Sequence, residues 1–268
     1  MVKHSAKSLC VAASVSLFAT ASLAADASPP SPPPSPPTDT PLDQGWRYQV
    51  TLYAWASAID GDVGIRGLPP VNVDLSAWDA IQDLDGALSG SILATNGTWL
   101  FLTDLLWGKL SSDATIGPAS GTLEFEQEQL LASAVVGHSL PINIPGLELA
   151  MTAGLRYQRY EAQVDISPAL VPLTISREGS KDWVDPIVGL ALHYDINDRW
   201  FINATADIGG FGVSSDFAAN GFATVGYNWT EKISTAIGYR ALYTDYNDDG
   251  FVYDVTQHGV YTSIAFHF

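Results

Sequence analysis

The sequence predicts an all-β chain closed into an antiparallel, up-and-down transmembrane β-barrel of about ten strands. Three observations carry that prediction. The chain ends in strict alternation: Phe268, Phe266, Ile264, Thr262 and Val260 fall on one face of a strand, and His267, Ala265, Ser263, Tyr261 and Gly259 on the other. From Gly45 onward alternating stretches recur, each long enough to cross a bilayer, for which a strand needs about 9–11 residues. The chain is also poor in charge (15%) and rich in aromatics (11%), yet past the N-terminus no run of about 18 apolar residues offers a transmembrane helix.

Three segments follow in order. Residues 1–24 read as a secretory signal: Lys3, His4 and Lys7 form a basic start, Leu9 to Leu23 is apolar and small, and Ser22-Leu23-Ala24 fits a small-x-small cleavage site. Residues 25–44 are a Pro-rich periplasmic linker, with SPPSPPPSPPTDTP at 28–41 favouring an extended polyproline-II spacer. A contact of this linker with peptidoglycan or a periplasmic protein is the alternative. Residues 45–268 form the barrel. The only cysteine, Cys10, lies in the signal, so disulfides do not staple the exported chain.

The net charge is −17, and without the two lysines of the signal 10 basic side chains face 29 acidic ones, a balance of −19. Such a surface excludes nucleic acid as a partner and leaves outer-membrane lipid as the surroundings.

The strands expected are 46–58, 86–96, 98–110, 121–138, 147–163, 183–196, 199–211, 217–229, 232–245 and 251–268. Short connections (Asn96-Gly97, 139–146, Asn197-Asp198, Thr230-Glu231) alternate with longer ones (59–85, 111–120, 164–182, 212–216, 246–250). Short periplasmic turns and longer outer loops are the pattern of outer-membrane barrels, and an even strand number puts both barrel ends in the periplasm. Trp46, Trp99, Trp200 and Trp229, with Tyr194, Tyr227 and Phe268, are expected as interface aromatics at the periplasmic rim. Trp55, Trp107, Tyr157, Trp183, Tyr243, Tyr246 and Tyr253 are expected as a second girdle at the outer rim. In the longest loop Pro69-Pro70 stops pairing, and Ser76 caps a short helix over Ala77–Leu84 with Trp78, Ile81 and Leu84 on one side.

Alternation also assigns the lumen. Trp99, Phe101, Leu105 and Trp107 point out, so Asp104 points in; Arg156, Asp185, His193, Asp207 and Arg240 point in by the same reasoning. Counting across hairpins sets Asp104 opposite about Glu128, Glu128 opposite about Gln158 near Arg156, and Asp207 level with Arg240. The expectation is a lumen charge network of Asp104, Glu128, Arg156, Asp207 and Arg240. Buried charges must pair whatever the function, so a structural network is the first reading and a charged constriction the second. No Ser–His–carboxylate set stands at the outer rim, no Cys/His spacing suits a metal, and Asp245, Asp248 and Asp249 in YNDDG read as a solvated loop tip. No cofactor and no catalysis are expected.

YAWASAIDGDVGIRG (53–67), DWVDPIVGLALHYDINDRW (182–200), DIGGFGVSSD (207–216), GYRALYTDY (238–246) and the terminal AFHF resemble a family of proteobacterial outer-membrane barrel proteins of mostly unassigned function. The likeness spans most of residues 45–268, is close over 182–216 and departs over 86–101. It implies a barrel and transfers no catalytic residue. Phe268, Phe266 and Ile264 resemble the terminal signal read by the barrel-insertion machinery of Gram-negative bacteria. The function expected is that of an integral outer-membrane barrel with a structural or narrow-pore, porin-like role, since ten strands leave room for only a thin channel. The alternatives are an outer-membrane enzyme acting on envelope lipid or peptide, or a surface-interaction protein using its outer loops.

Overall fold

A computed structural model describes residues 45–64, 70–116, 121–167 and 175–268; the expected signal and linker lie outside them. Ten long strands form one closed antiparallel sheet: β1 (Arg47–Gly64), β3 (Leu84–Thr95), β4 (Trp99–Ile116), β5 (Gly121–Ser139), β6 (Leu147–Ser167), β7 (Ile175–Asp195), β8 (Trp200–Gly209), β9 (Phe217–Asn228), β10 (Ile233–Asp248) and β11 (Phe251–His267). Each strand pairs with its neighbour in the chain, and β1 closes the wall against β11 from Gln49↔His267 up to Gly64↔Val252. A short extra strand, β2 (Val71–Leu75), and one helix, α1 (Ala77–Gln82), sit between β1 and β3. No helix among the described residues is long and apolar enough to cross a membrane.

The outer surface explains the apolar half of each alternation. Leu52, Ile92, Phe101, Leu105, Met151, Leu155, Val188, Val225, Ile237, Val260 and Ile264 are all exposed on the outside of the wall, forming the apolar belt that a transmembrane barrel carries. Trp46, Trp99, Trp200 and Trp229 are exposed at the short-turn end. There Tyr227 stands edge-on between Trp200 and Trp229, with ring centroids 5.0 and 4.8 Å away. Phe268 is exposed at the same rim, its N–H donating to the Tyr48 carbonyl at 2.9 Å, while Ile264 and Phe266 continue its outward row.

The short turns follow local chemistry. At Asn96-Gly97 the Asn96 carboxamide accepts from the Thr98 and Trp99 amides (3.1 and 2.8 Å), and Gly97 takes φ +83°, a conformation glycine adopts without strain.

The other end differs from expectation. The expected loops 111–120 and 164–182 are largely strand: β4 runs to Ile116 and β7 starts at Ile175, so two hairpins project well past the apolar belt. Apolar outward residues stop at the upper edge of the belt, but the ladder does not, because polar side chains extend a strand as well. Pairs such as Lys109–Glu126 (3.0 Å) and Arg159–Glu161 (2.9 Å) decorate this part. The loop at 210–216 is a bend with Gly210, Phe211 and Gly212 all at positive φ.

One seam interrupts the wall. β1 pairs with β3 only from Arg47↔Thr95 to Leu52↔Gly90. Higher up, the same edge of β1 pairs with β2 instead, Ile59↔Leu75 to Val63↔Val71. Tyr53 to Ala58 lie between the two ladders, where the Ser89 hydroxyl donates to the Tyr53 carbonyl and α1 packs alongside with Ala80 buried. Ser76 caps α1 as expected, its Oγ accepting from the Asp79 amide, but the helix ends at Gln82, short of the expected Leu84, which opens β3; Trp78 and Ile81 are exposed.

Candidate functional site

The inward half of each alternation fills the lumen in layers. At the short-turn end lies a vestibule of about 1030 Å³. Leu93, Leu100, Leu102, Val135, Phe201 and Phe222 supply apolar wall. Its rim carries Arg47, paired to Glu148 at 3.4 Å, and His193, which is hydrogen-bonded to Asn203 (2.7 Å) and Asp195 (3.2 Å). Phe201 lies flat against Gly226, its cross-strand partner: a Cβ there would fall 2.1 Å from the ring, so only glycine leaves room.

The ceiling of the vestibule is a charge layer. Arg156 holds Asp207 with one amino group, Nη2 donating to both carboxylate oxygens at 2.8 and 3.0 Å, and its Nε reaches Ser133 at 3.4 Å. Arg240 donates to Asp104 at 3.1 Å and to the Tyr53 hydroxyl at 3.2 Å, and its guanidinium lies 5.0 Å over the Trp55 ring. Tyr53 in turn donates to Asp104 at 2.9 Å. Asn220 joins the two ion pairs, accepting from Arg240 (3.3 Å) and donating to Asp207 (2.9 Å). In this layer two cations and two anions are thus matched, which is what their desolvation demands.

Above the charges come amides. Gln129 and Gln257 are hydrogen-bonded to each other across the lumen, and Gln158 bonds Thr244 at 3.3 Å. Asp185, fully buried, accepts from the Ser215 amide (2.8 Å), the Ser215 hydroxyl (2.6 Å) and the Trp183 indole (3.1 Å), tying the 210–216 bend over the barrel. Towards the long-hairpin end the lumen is packed with Ile59, Tyr160, Ala162, Trp183, Tyr246, Phe251, Tyr253 and Val255, all buried. Trp183 stacks on Tyr246 (centroids 4.3 Å, 17° between planes) and meets Tyr253 at 5.7 Å. This is an aromatic plug.

Several sequence expectations change here. Glu128 does not join the lumen network. It stands opposite Lys109 and Glu161 on the outside, where it accepts from the Trp107 indole at 2.8 Å. Asp104 faces Ser133 instead, five residues away, because the β4–β5 ladder continues to Ile116↔Gly121, beyond the middle of the expected loop. An odd shift of register reverses the face of a side chain. Asp207 and Arg240 do not touch; Asp207 faces Asn220, which is the bridge. The expected outer girdle is divided: Trp107, Tyr157 and Tyr243 have outward parity, whereas Trp55, Trp183, Tyr246 and Tyr253 point inward. The residues missed altogether are Tyr53, Asn220, Gln129 and Gln257, while Gln158, expected opposite Glu128, is hydrogen-bonded to Thr244 instead. All have inward parity on strands already identified, so alternation alone would have found them.

Two histidine pairings bear on chemistry. Ser234 and His267 line the vestibule and are hydrogen-bonded at 2.8 Å, and among the described hydrogen bonds no carboxylate reaches His267 to complete a triad. On the outer wall His258 bonds Asp60 (3.1 Å) and Tyr239 (2.6 Å). No Ser, Thr or Cys is hydrogen-bonded to that trio among the described residues. In YNDDG, Asp249-Gly250 is the β10–β11 turn and Asp248 pairs with Lys181 at 2.7 Å. No group of side chains able to hold a metal occurs among the described residues.

No protein-family model matches the chain, and no curated protein matches it in sequence. Solved structures do match in fold. The outer membrane protease OmpT from Escherichia coli superimposes with a TM-score of 0.50 at 10% identity, over 84% of this chain and 98% of that one. The translocator domain of the autotransporter NalP from Neisseria meningitidis gives 0.44 at 11% identity, over 85% and 91%. The toluene transporter TodX from P. putida gives 0.35 at 10% identity, over 83% and 89%. At such identities the likeness is one of fold: the chain is built as outer-membrane β-barrels are.

Proposed function

We propose that this protein is an integral outer-membrane barrel of a Gram-negative bacterium with a structural role and a sealed lumen. The observation that supports this most is the sequence of layers across the interior. Matched ion pairs, hydrogen-bonded amides and stacked aromatic rings fill the barrel from the vestibule ceiling to the long-hairpin end. Of the structural and narrow-pore roles open to a ten-stranded barrel, such packing favours the structural one. The vestibule then faces the periplasm, because short turns lie on that side in outer-membrane barrels. Outer-membrane lipid covers the apolar belt. Phe268, Phe266 and Ile264 serve as the terminal strand that the barrel-insertion machinery recognises. In this reading the protein is not an enzyme: the only serine–histidine pair among the described hydrogen bonds has no carboxylate on its histidine, and His258 lacks a nucleophile.

Liposome swelling tests the sealed lumen. Proteoliposomes carrying the full chain should swell in arabinose no faster than protein-free vesicles. Swelling that scales with protein content would overturn the structural reading in favour of permeation.

A further inference from the structure

We propose that the vestibule is a binding site for an uncharged, mostly apolar small molecule that carries a carbonyl-type hydrogen-bond acceptor and enters from the short-turn end. The volume of about 1030 Å³ is at the upper end of what small-molecule sites enclose, about 300–1,000 Å³. Much of its wall is apolar side chain, including Leu102, Phe201 and Phe222. Against that wall stand two polar groups that the barrel itself does not satisfy. Arg156 lines the cavity and is 2% exposed; its Nε and Nη2 are engaged, but its Nη1 has no hydrogen-bond partner. Thr224, 3% exposed, also lines the cavity with its hydroxyl unpartnered.

A buried donor left without a partner costs about 1–3 kcal/mol, so a ligand supplying an acceptor gains what the fold forgoes. Both groups can donate, which sets the ligand's end as an acceptor. The charge balance sets the rest. Arg156 is matched by Asp207 and Arg240 by Asp104, so neither an anion nor a cation finds a countercharge at the ceiling. Thr224 is four residues below Asn220 on β9, about 13 Å of strand, so an elongated molecule can set its acceptor on Thr224 and run its apolar body along Phe222 towards the ceiling.

Equilibrium dialysis of the full chain in lipid nanodiscs, with empty nanodiscs as blank, tests the site. The probes share one skeleton: 4-phenylbutanamide, 4-phenylbutanoate, 4-phenylbutylammonium and butylbenzene. The amide should bind at one per barrel, about tenfold more tightly than each of the other three. Thr224→Val should weaken the amide by about three- to tenfold and leave butylbenzene unchanged. Ala236→Trp, which fills the cavity from β10, should abolish binding; should either variant fail to fold, Leu102→Trp fills the cavity from β4. No binding of the amide overturns the proposal, as does amide binding no tighter than that of butylbenzene or the ammonium, or wild-type binding in a filled variant.

Discussion

Arg156 and Arg240 show how a barrel interior can hold charge. Each guanidinium has one carboxylate partner, and Asn220 ties the pairs into one layer. Removing a single member strands the other in a buried setting, at a cost of about 3–5 kcal/mol. Asp207→Ala should therefore lower the unfolding free energy by about that amount in urea titrations of the folded barrel, whereas Glu128→Ala on the outer surface should change it by less than about 0.5 kcal/mol. Trp183 makes the corresponding case for the plug. Trp183→Ala removes a stacked ring and the indole donor to Asp185, and should cost about 3–5 kcal/mol in the same titration. The parity of these residues was legible in the sequence: Asp104, Arg156, Asp185, Asp207 and Arg240 all point inward as alternation dictates. Their partners were not, because partnership depends on register, and register depends on where each turn closes. A five-residue error at the β4–β5 turn was enough to move Glu128 to the wrong face.

The ten long strands could be read from the chain because lipid on one face and lumen on the other force a period of two. Their outer ends could not, because in water the outward residues are polar and the apolar signal fades while the ladder continues. β2 was missed for a related reason: five residues are too few to show a period, and VNVDL follows a Pro-Pro break. The aromatic residues near the long-hairpin end were read by height alone. Height cannot distinguish a ring at the lipid interface from a ring in the plug, whereas parity separates Trp107 from Trp183. The seam beside β2 is the weakest part of the wall. The β1–β3 register, carried upward, would set Ala56 opposite Gly86, yet that stretch is outside the ladder. Hydrogen exchange in nanodiscs should find the amides of Tyr53–Ala58 less protected as a group than those of β11 at the same height. Equal protection would mean that β1 and β3 zip together in the membrane.

The stability of the barrel comes from a closed ladder and a filled centre, and the chain's single cysteine allows it no internal disulfide. Closure between β1 and β11 leaves only the seam as an edge, and its rim is sealed where Phe268 and Tyr48 exchange backbone hydrogen bonds of 2.9 and 3.3 Å. Such a barrel should run as a compact species on a denaturing gel before boiling and shift to its unfolded mobility afterwards. Unchanged mobility would contradict a closed wall. The lumen is the more telling feature. A barrel of ten strands can be a thin pore or a filled post, and the side chains that decide between them are the Arg156–Asp207 and Arg240–Asp104 pairs and the rings of Trp183, Tyr246 and Tyr253.

Single-channel recording of the purified full chain in planar lipid bilayers addresses that choice most directly, with insertion verified by protease access to the β4–β5 and β6–β7 hairpins. A filled lumen predicts a flat baseline with no conductance steps in 1 M KCl. Reproducible unitary steps from inserted protein would contradict the sealed barrel.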